Sequence, residues 1–256
     1  MTARPSVSVV IPYSERFTPQ SMLDEATDDV AAQTVPTELV VVDDVESGPA
    51  DARNAGLERA TTRYVAFLDA DDRWPPDKLE RQLDRLAETG AGLCVEGEPM
   101  TLDDFVHAVL VDGMTSLTSS VLVDTEQVDA RFESGLDRGE DLLYVLEAAS
   151  RAGVCCCPSL FTRRRHQDSM MAQGLAPAEF VRQNKRFAYL VSQRVPEAQP
   201  YLTTYYVQLF TQAGLLAHRD GEYARAGSYF LRALRIAPHP FTAWYLLRSA
   251  VRERLA

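Results

Sequence analysis

Tyr64-Val65-Ala66-Phe67-Leu68-Asp69-Ala70-Asp71-Asp72 decides the fold of this chain, because a nearly unbroken apolar run ends abruptly in three carboxylates. A strand that apolar is expected to be buried on both faces, as the strands of parallel sheets are. Its acids then stand at the carboxyl end, where open α/β sheets place their ligands. Asp69 and Asp71 are two residues apart, so extended geometry sends both side chains off the same face. Hard oxygen ligands of that kind suit Mg²⁺ or Mn²⁺ carrying phosphates. By itself the triplet also fits a solvated acidic turn.

The neighbouring sequence supplies the rest of a sheet. Val7-Ser8-Val9-Val10-Ile11-Pro12-Tyr13 reads as a second buried strand, and Leu39-Val40-Val41-Val42-Asp43-Asp44 as a third that also finishes in acids. Between the first two, Thr18 and Pro19 open a segment in which Met22, Leu23, Ala26, Val30 and Ala31 keep helical spacing until Val35-Pro36. Gly48-Pro49 precedes a second helical stretch from Ala50 to Ala60. Strand, helix, strand, helix, strand with right-handed crossovers predicts a doubly wound, mostly parallel sheet with helices on both faces. Its carboxyl edge gathers Pro12, Tyr13, Asp43, Asp44, Asp69 and Asp71.

Val7 to Tyr13, Val41-Val42-Asp43-Asp44, Ala52-Arg53-Asn54-Ala55-Gly56 and Phe67-Leu68-Asp69-Ala70-Asp71-Asp72, in this order, resemble family 2 glycosyltransferases of GT-A fold over roughly residues 5 to 170. The resemblance implies a nucleoside held by Pro12, Tyr13, Glu15 and Asp43, with Arg53 near its diphosphate. It makes Asp71 the direct metal ligand for Mn²⁺ or Mg²⁺, with Asp69 beside the ribose or the metal. Where the family usually continues with a Gly-Ser type turn, this chain has Asp44-Val45-Glu46-Ser47-Gly48-Pro49, a departure that bears on the base and leaves the metal site alone.

Glycosyl transfer needs a base for the acceptor hydroxyl. Gly139-Glu140-Asp141-Leu142-Leu143 opens an amphipathic helix and resembles the family's Glu-Asp pair, which makes Asp141 the base and Glu140 an acceptor or diphosphate neighbour. Acids in a first turn also simply complement a helix dipole. Transfer also needs positive charge for the departing diphosphate. Arg163-Arg164-Arg165-His166 resembles the family's late Arg-x-His segment, which gives His166 the metal or diphosphate and places Arg164 or Arg165 near the phosphates. A basic run is ordinarily a solvated face, and a lone His is more often structural. The hydroxyl-rich stretch from Asp112 to Ser120, before a strand at Val121-Leu122-Val123, fits either a sugar contact or an ordinary turn.

The chain has 256 residues and a formal net charge of −11, which opposes nonspecific binding to nucleic acid or anionic lipid. The first strand begins so close to Met1 that no signal peptide is expected, and no apolar run approaches the ~20 residues of a membrane span. A cytoplasmic location is expected, extending to the inner face of a membrane. The four Cys, three of them consecutive as Cys155-Cys156-Cys157, read as apolar fillers of a strand and not as a disulfide framework.

From about Gly174 strand alternation disappears, which predicts a catalytic domain over residues 1–173 and a helical subdomain over 174–256. Ala213-Gly214-Leu215, Gly221-Glu222-Tyr223-Ala224, Ala226, Tyr229-Phe230, Ala233-Leu234 and Pro238 resemble one tetratricopeptide-type hairpin, read either as a cap or as a peptide-binding module. Phe241, Trp244, Tyr245 and Leu247 with Arg248, Arg252 and Arg254 fit core packing or contact with a membrane surface. The expected activity is an inverting, metal-dependent transfer from a UDP- or GDP-sugar to a hydroxyl or phosphate of a glycan or lipid-linked glycan. A catalytically inactive scaffold and a sugar-phosphate nucleotidyltransferase are the alternatives, though Pro12-Tyr13-Ser14-Glu15-Arg16 lacks the Gly-rich basic loop expected of the latter.

Overall fold

The structure is a computed structural model that describes residues 4–43, 48–114, 118–136, 138–164 and 175–255. It divides into two compact units, Met1–Val106 with Thr115–Gln173, and His107–Met114 with Gly174–Ala256. The first unit follows the order β1 (Val7–Tyr13), α1 (Gln20–Ala31), β2 (Thr37–Asp43), α2 (Pro49–Arg59), β3 (Tyr64–Phe67), α3 (Lys78–Thr89), β4 (Leu93–Glu96), α4 (Leu102–His107), β5 (Leu122–Asp124), α5 (Glu140–Ala152) and β6 (Val154–Cys157). The six strands form one sheet in the order β2-β1-β3-β5-β4-β6.

β1 pairs in parallel with β2 and β3, bringing Tyr13 opposite Asp43 at one end, and its Val7, Val9, Val10 and Ile11 are fully buried. The crossover helices α1 and α2 follow from the two stretches of helical spacing. α2 starts on Gly48, whose φ of 104° suits glycine, with Pro49 in the first turn, where its missing N–H costs nothing. A Cβ on Gly56 would stand 2.2 Å from Val10 Cγ1, so α2 lies directly on β1. Arg53, one turn earlier on the same helix face, is buried by that approach.

One local expectation changes. β3 stops at Phe67, and Asp69 to Asp72 form a turn closed by Asp72 N–H donating to the Asp69 carbonyl at 2.9 Å. Asp69 and Asp71 are therefore placed by a turn and not by extended alternation. The sheet is mostly parallel, as expected: β4 and β6 are parallel like β1 with β2 and β3, and only β5 runs antiparallel to its neighbours β3 and β4. Cys155, Cys156 and Cys157 are buried in β6 as free thiols.

The second unit takes in the π-helical turn Ala108–Asp112 together with α6 (Pro177–Arg194), α7 (Leu202–Arg219), α8 (Tyr223–Ile236) and α9 (Pro240–Leu255). Leu209, Phe210, Ala213, Ala217, Ala226, Tyr229, Phe230 and Ala233 build its core. A Cβ on Gly214 would meet Phe230 Cε1 at 2.5 Å, so the hairpin of α7 and α8 closes only around glycine at that point. Among the described residues no helix is long and apolar enough to cross a membrane.

Candidate active site

The acidic turn after β3 is held from below by a short 3-10 helix, Thr118–Ser120, whose three residues are buried. Asp69 N–H donates to Ser119 Oγ at 3.1 Å, and Ser119 Oγ–H donates to Asp72 Oδ2 at 2.5 Å. Trp74 Nε1–H donates to the Ser119 carbonyl at 2.8 Å. Asp72, the third acid of the run, thus faces inward and is 5% exposed. Burial pushes its carboxyl up to about 7 against the Ser119 hydrogen bond, with Asp69 and Asp71 adding to the rise. Ser119→Ala leaves a buried carboxyl and a backbone N–H without this partner, so thermal denaturation is expected to show a loss of about 1–3 kcal/mol. An unchanged melting curve would remove Ser119 from this role.

Arg53 joins three segments that lie far apart in sequence. Its Nη2 meets Asp69 Oδ1 at 2.9 Å, its Nη1 meets Glu140 Oε1 at 2.9 Å, and its guanidinium lies 5.5 Å from the Phe132 ring centre. Burial opposes the charge of Arg53, but Asp69, Glu140 and Asp141 together outweigh it and raise its pKa. Its Nε is buried with no hydrogen-bond partner among the described residues. Asn54 fixes the same strand-to-helix region by trading hydrogen bonds with the Phe132 backbone, 2.9 Å each way.

Glu140 and Asp141 open α5 after Gly139, which has a φ of 82°. Burial first, then Asp141, pushes Glu140 up to about 7 despite its ion pair, because the one guanidinium is shared. Asp141 is also raised by burial, opposed chiefly by Arg53. Its Oδ1 accepts the Leu142 N–H at 2.8 Å and its Oδ2 the Thr118 hydroxyl at 3.4 Å. The pair therefore does more than complement a helix dipole: one acid is tied to the β3 acids through Arg53, and the other is set against the 3-10 turn.

Pro12, Tyr13 and Asp43 stand at the ends of β1 and β2, with Glu15 exposed just beyond. Tyr13 is buried, its hydroxyl has no partner among the described residues, and burial followed by Glu15 and Asp43 raises its pKa. Arg164 donates from Nε to the Asp71 carbonyl at 2.6 Å and from Nη1 to Glu25 at 2.6 Å, so it braces the acidic turn from behind. Arg73 binds Asp29 through Nε at 2.6 Å and Glu25 through Nη1 at 2.8 Å, which makes α1 the anchor for both arginines. Asp44, Arg165 and His166 lie outside the described residues.

Among the described residues no three of His, Cys, Asp or Glu converge as a complete metal cage. The half-buried Asp71 and the Asp69 carboxylate are nonetheless hard oxygen donors of the kind that hold Mg²⁺ or Mn²⁺ when phosphate oxygens complete the shell. Sequence reasoning gave Asp72 no role of its own, read Ser119 only within a stretch fitting a sugar contact or a turn, and left out Trp74 and also Lys78, which is fully buried 3.8 Å from the Trp74 ring centre and drawn down to about 7 by burial. The signal available for Ser119 was its place in a Thr-Ser-Ser run beside a strand, which serves buried polar wiring as readily as ligand contact.

The glycosyl transferase family 2 profile matches residues 45–99. The putative teichuronic acid biosynthesis glycosyltransferase TuaG of Bacillus subtilis (strain 168) is 51% identical over 77 residues, 27% of this chain and 30% of that protein. The chain thus spans under a third of that relative's length. The crystal structure of S. aureus TarS 1-349 in complex with UDP-GlcNAc is similar with a TM-score of 0.64 at 17% identity, covering 97% of this chain and 89% of that one. The mannosyltransferase PcManGT from Pyrobaculum calidifontis, in complex with GDP-Man and Mn²⁺, has a TM-score of 0.58 at 18% identity, covering 98% of this chain and 81% of that one. At such identities these structural likenesses show a shared fold.

Proposed function

We propose that this chain, a family 2 glycosyltransferase of GT-A fold, transfers a sugar from a nucleotide-sugar donor to a hydroxyl acceptor during assembly of a polysaccharide or lipid-linked glycan, with inversion at the anomeric carbon. One observation carries the reading: Arg53 draws the end of β3 and the start of α5 together through Asp69 and Glu140, 2.9 Å from each. That contact puts Asp141, the candidate base, in the electrostatic reach of the acidic turn.

In the proposed reaction Tyr13, Pro12, Glu15 and Asp43 line the nucleoside, and Arg53 orients Asp69 toward the ribose or diphosphate. Asp141 accepts the acceptor's hydroxyl proton as that oxygen bonds to the anomeric carbon, and the bonding pair of the glycosidic C–O leaves with the nucleoside diphosphate. Burial of Asp141 raises its pKa against the opposing charge of Arg53, and with it its basicity toward the acceptor proton. Asp71, with His166 from the segment outside the described residues, would hold Mn²⁺ or Mg²⁺. Such an ion, when bound, supplies Lewis-acid stabilisation of the diphosphate charge. Arg164 keeps Asp71 in place through its carbonyl, so its contribution to the phosphates is indirect.

Titration calorimetry with UDP and GDP, with and without Mn²⁺, is expected to show one nucleotide binding at least ~10-fold more tightly with the metal. Turnover of the matching sugar nucleotide from a donor panel then identifies the sugar. Absence of metal-linked binding for either diphosphate would favour the inactive scaffold.

A further inference from the structure

We infer that the outer face of α9 docks on a lipid bilayer rich in anionic headgroups. Trp244, Leu247 and Val251 follow one another at helical spacing and are 53%, 67% and 58% exposed, with Phe241 beside them at 46%. The opposite face carries the buried Thr242 and Ser249, which meet Thr211 at 3.4 Å and His218 at 2.9 Å. The helix is therefore turned so that its apolar stripe looks outward and its small polar residues look inward. Packing against the hairpin of α7 and α8 explains the inner face only.

Charge selects the occupant. Residues 223–256 hold six arginines, Arg225, Arg232, Arg235, Arg248, Arg252 and Arg254, against a single acid, Glu253, in a chain whose net charge is −11. Arg248 and Arg252 adjoin the stripe, and the Arg248 guanidinium lies 5.1 Å from the Trp244 ring centre. An apolar stripe with a Trp and flanking arginines on one helix matches insertion of roughly 5–10 Å into the headgroup boundary, where cations meet lipid phosphates. A second copy of the chain would bring the same arginines against each other. A peptide needs a groove between elements or an open sheet edge, whereas the stripe and the shallow hollow along it are lined by one helix alone. The acids elsewhere do not cancel the attraction, because salt screens them beyond about 10 Å.

The test uses the full chain with extruded phosphatidylcholine vesicles containing about 30% phosphatidylglycerol, and with pure phosphatidylcholine. Cosedimentation is expected with the anionic vesicles and to weaken at least ~10-fold as salt rises from about 50 to about 500 mM. The chain has two tryptophans, Trp74 being buried, so vesicles should shield the remaining acrylamide-accessible emission, that of Trp244. Arg248→Glu with Arg252→Glu, and separately Trp244→Ser with Leu247→Ser, should each reduce binding at least ~10-fold at unchanged melting temperature, since all four side chains are exposed. Absence of binding at low salt, or equal binding by parent and both variants, overturns the inference. So does ultracentrifugation showing a dimer that the Trp244→Ser, Leu247→Ser variant dissociates.

Discussion

Asp141→Asn is expected to lower sugar transfer by roughly a hundred- to ten-thousand-fold while leaving nucleotide binding intact, the range that one positioned general base contributes. Asparagine matches aspartate in shape and keeps an oxygen for the Leu142 N–H at 2.8 Å, so the start of α5 should hold. It cannot take a proton from the acceptor. The loss should therefore fall on kcat, with calorimetric affinity for the nucleoside diphosphate within about twofold of the parent. Near-normal transfer by the variant would take the base assignment away from Asp141. Asp141 and Glu140 are adjacent, so Glu140→Gln measured in parallel shows which carboxylate removes the proton.

The second large effect is expected on stability. Arg53→Met keeps the bulk of the side chain and removes the charge shared by Asp69 and Glu140. Deleting one partner of a buried ion pair costs about 3–5 kcal/mol, because the other charges stay behind unpaired. Asp69 is a third exposed and loses less than Glu140, whose side chain is 12% exposed. Glu140 can relieve the strain by protonation. Its pKa in the folded chain, about 7, already exceeds the 4.5 of the free group, so the folded state binds the extra proton. The contribution is present at low pH and lost as pH rises through about 7. Without Arg53 the folded pKa climbs further, so urea denaturation should show a larger deficit at pH 8 than at pH 6. Adding Glu140→Gln to Arg53→Met should flatten that dependence. A variant as stable as the parent at both pH values would mean that the clamp contributes nothing to the fold.

Much of this organisation is legible in the sequence because its main elements carry strong local signals. β1, β2, α1 and α2 follow from apolar runs, helical spacing and Gly48-Pro49, and together they fix the edge at which Tyr13, Asp43 and Asp69 gather. β4 was not legible: its four residues, Leu93–Glu96, are too few for a periodicity to emerge. The antiparallel course of β5 was equally hidden, since three residues say nothing of direction and pairing partners lie far away in sequence. Asp69 and Asp71 do not share one extended face, because Ser119 accepts the Asp69 N–H and donates to Asp72, and these tertiary hydrogen bonds hold the run in a turn. The Arg53 ion pairs follow from α2 packing on β1 through Gly56, a closeness that only the assembled sheet defines.

The path of the chain constrains how the molecule can be dissected. The backbone leaves the first unit after Val106, contributes eight residues to the second, and comes back at Thr115 before departing again near Gly174. In its excursion it rests on α7, with Gln208 Nε2–H donating to the Val111 carbonyl at 3.0 Å and the His107 and Tyr201 rings edge to face 5.2 Å apart. A fragment cut at residue 173 would retain the turn but not its support, stripping cover from Val109 and Leu110, which are buried in the intact chain. Exposed aliphatic surface of that kind promotes association. Any dissection should therefore carry the helices along, or rebuild residues 107–114 as a polar loop.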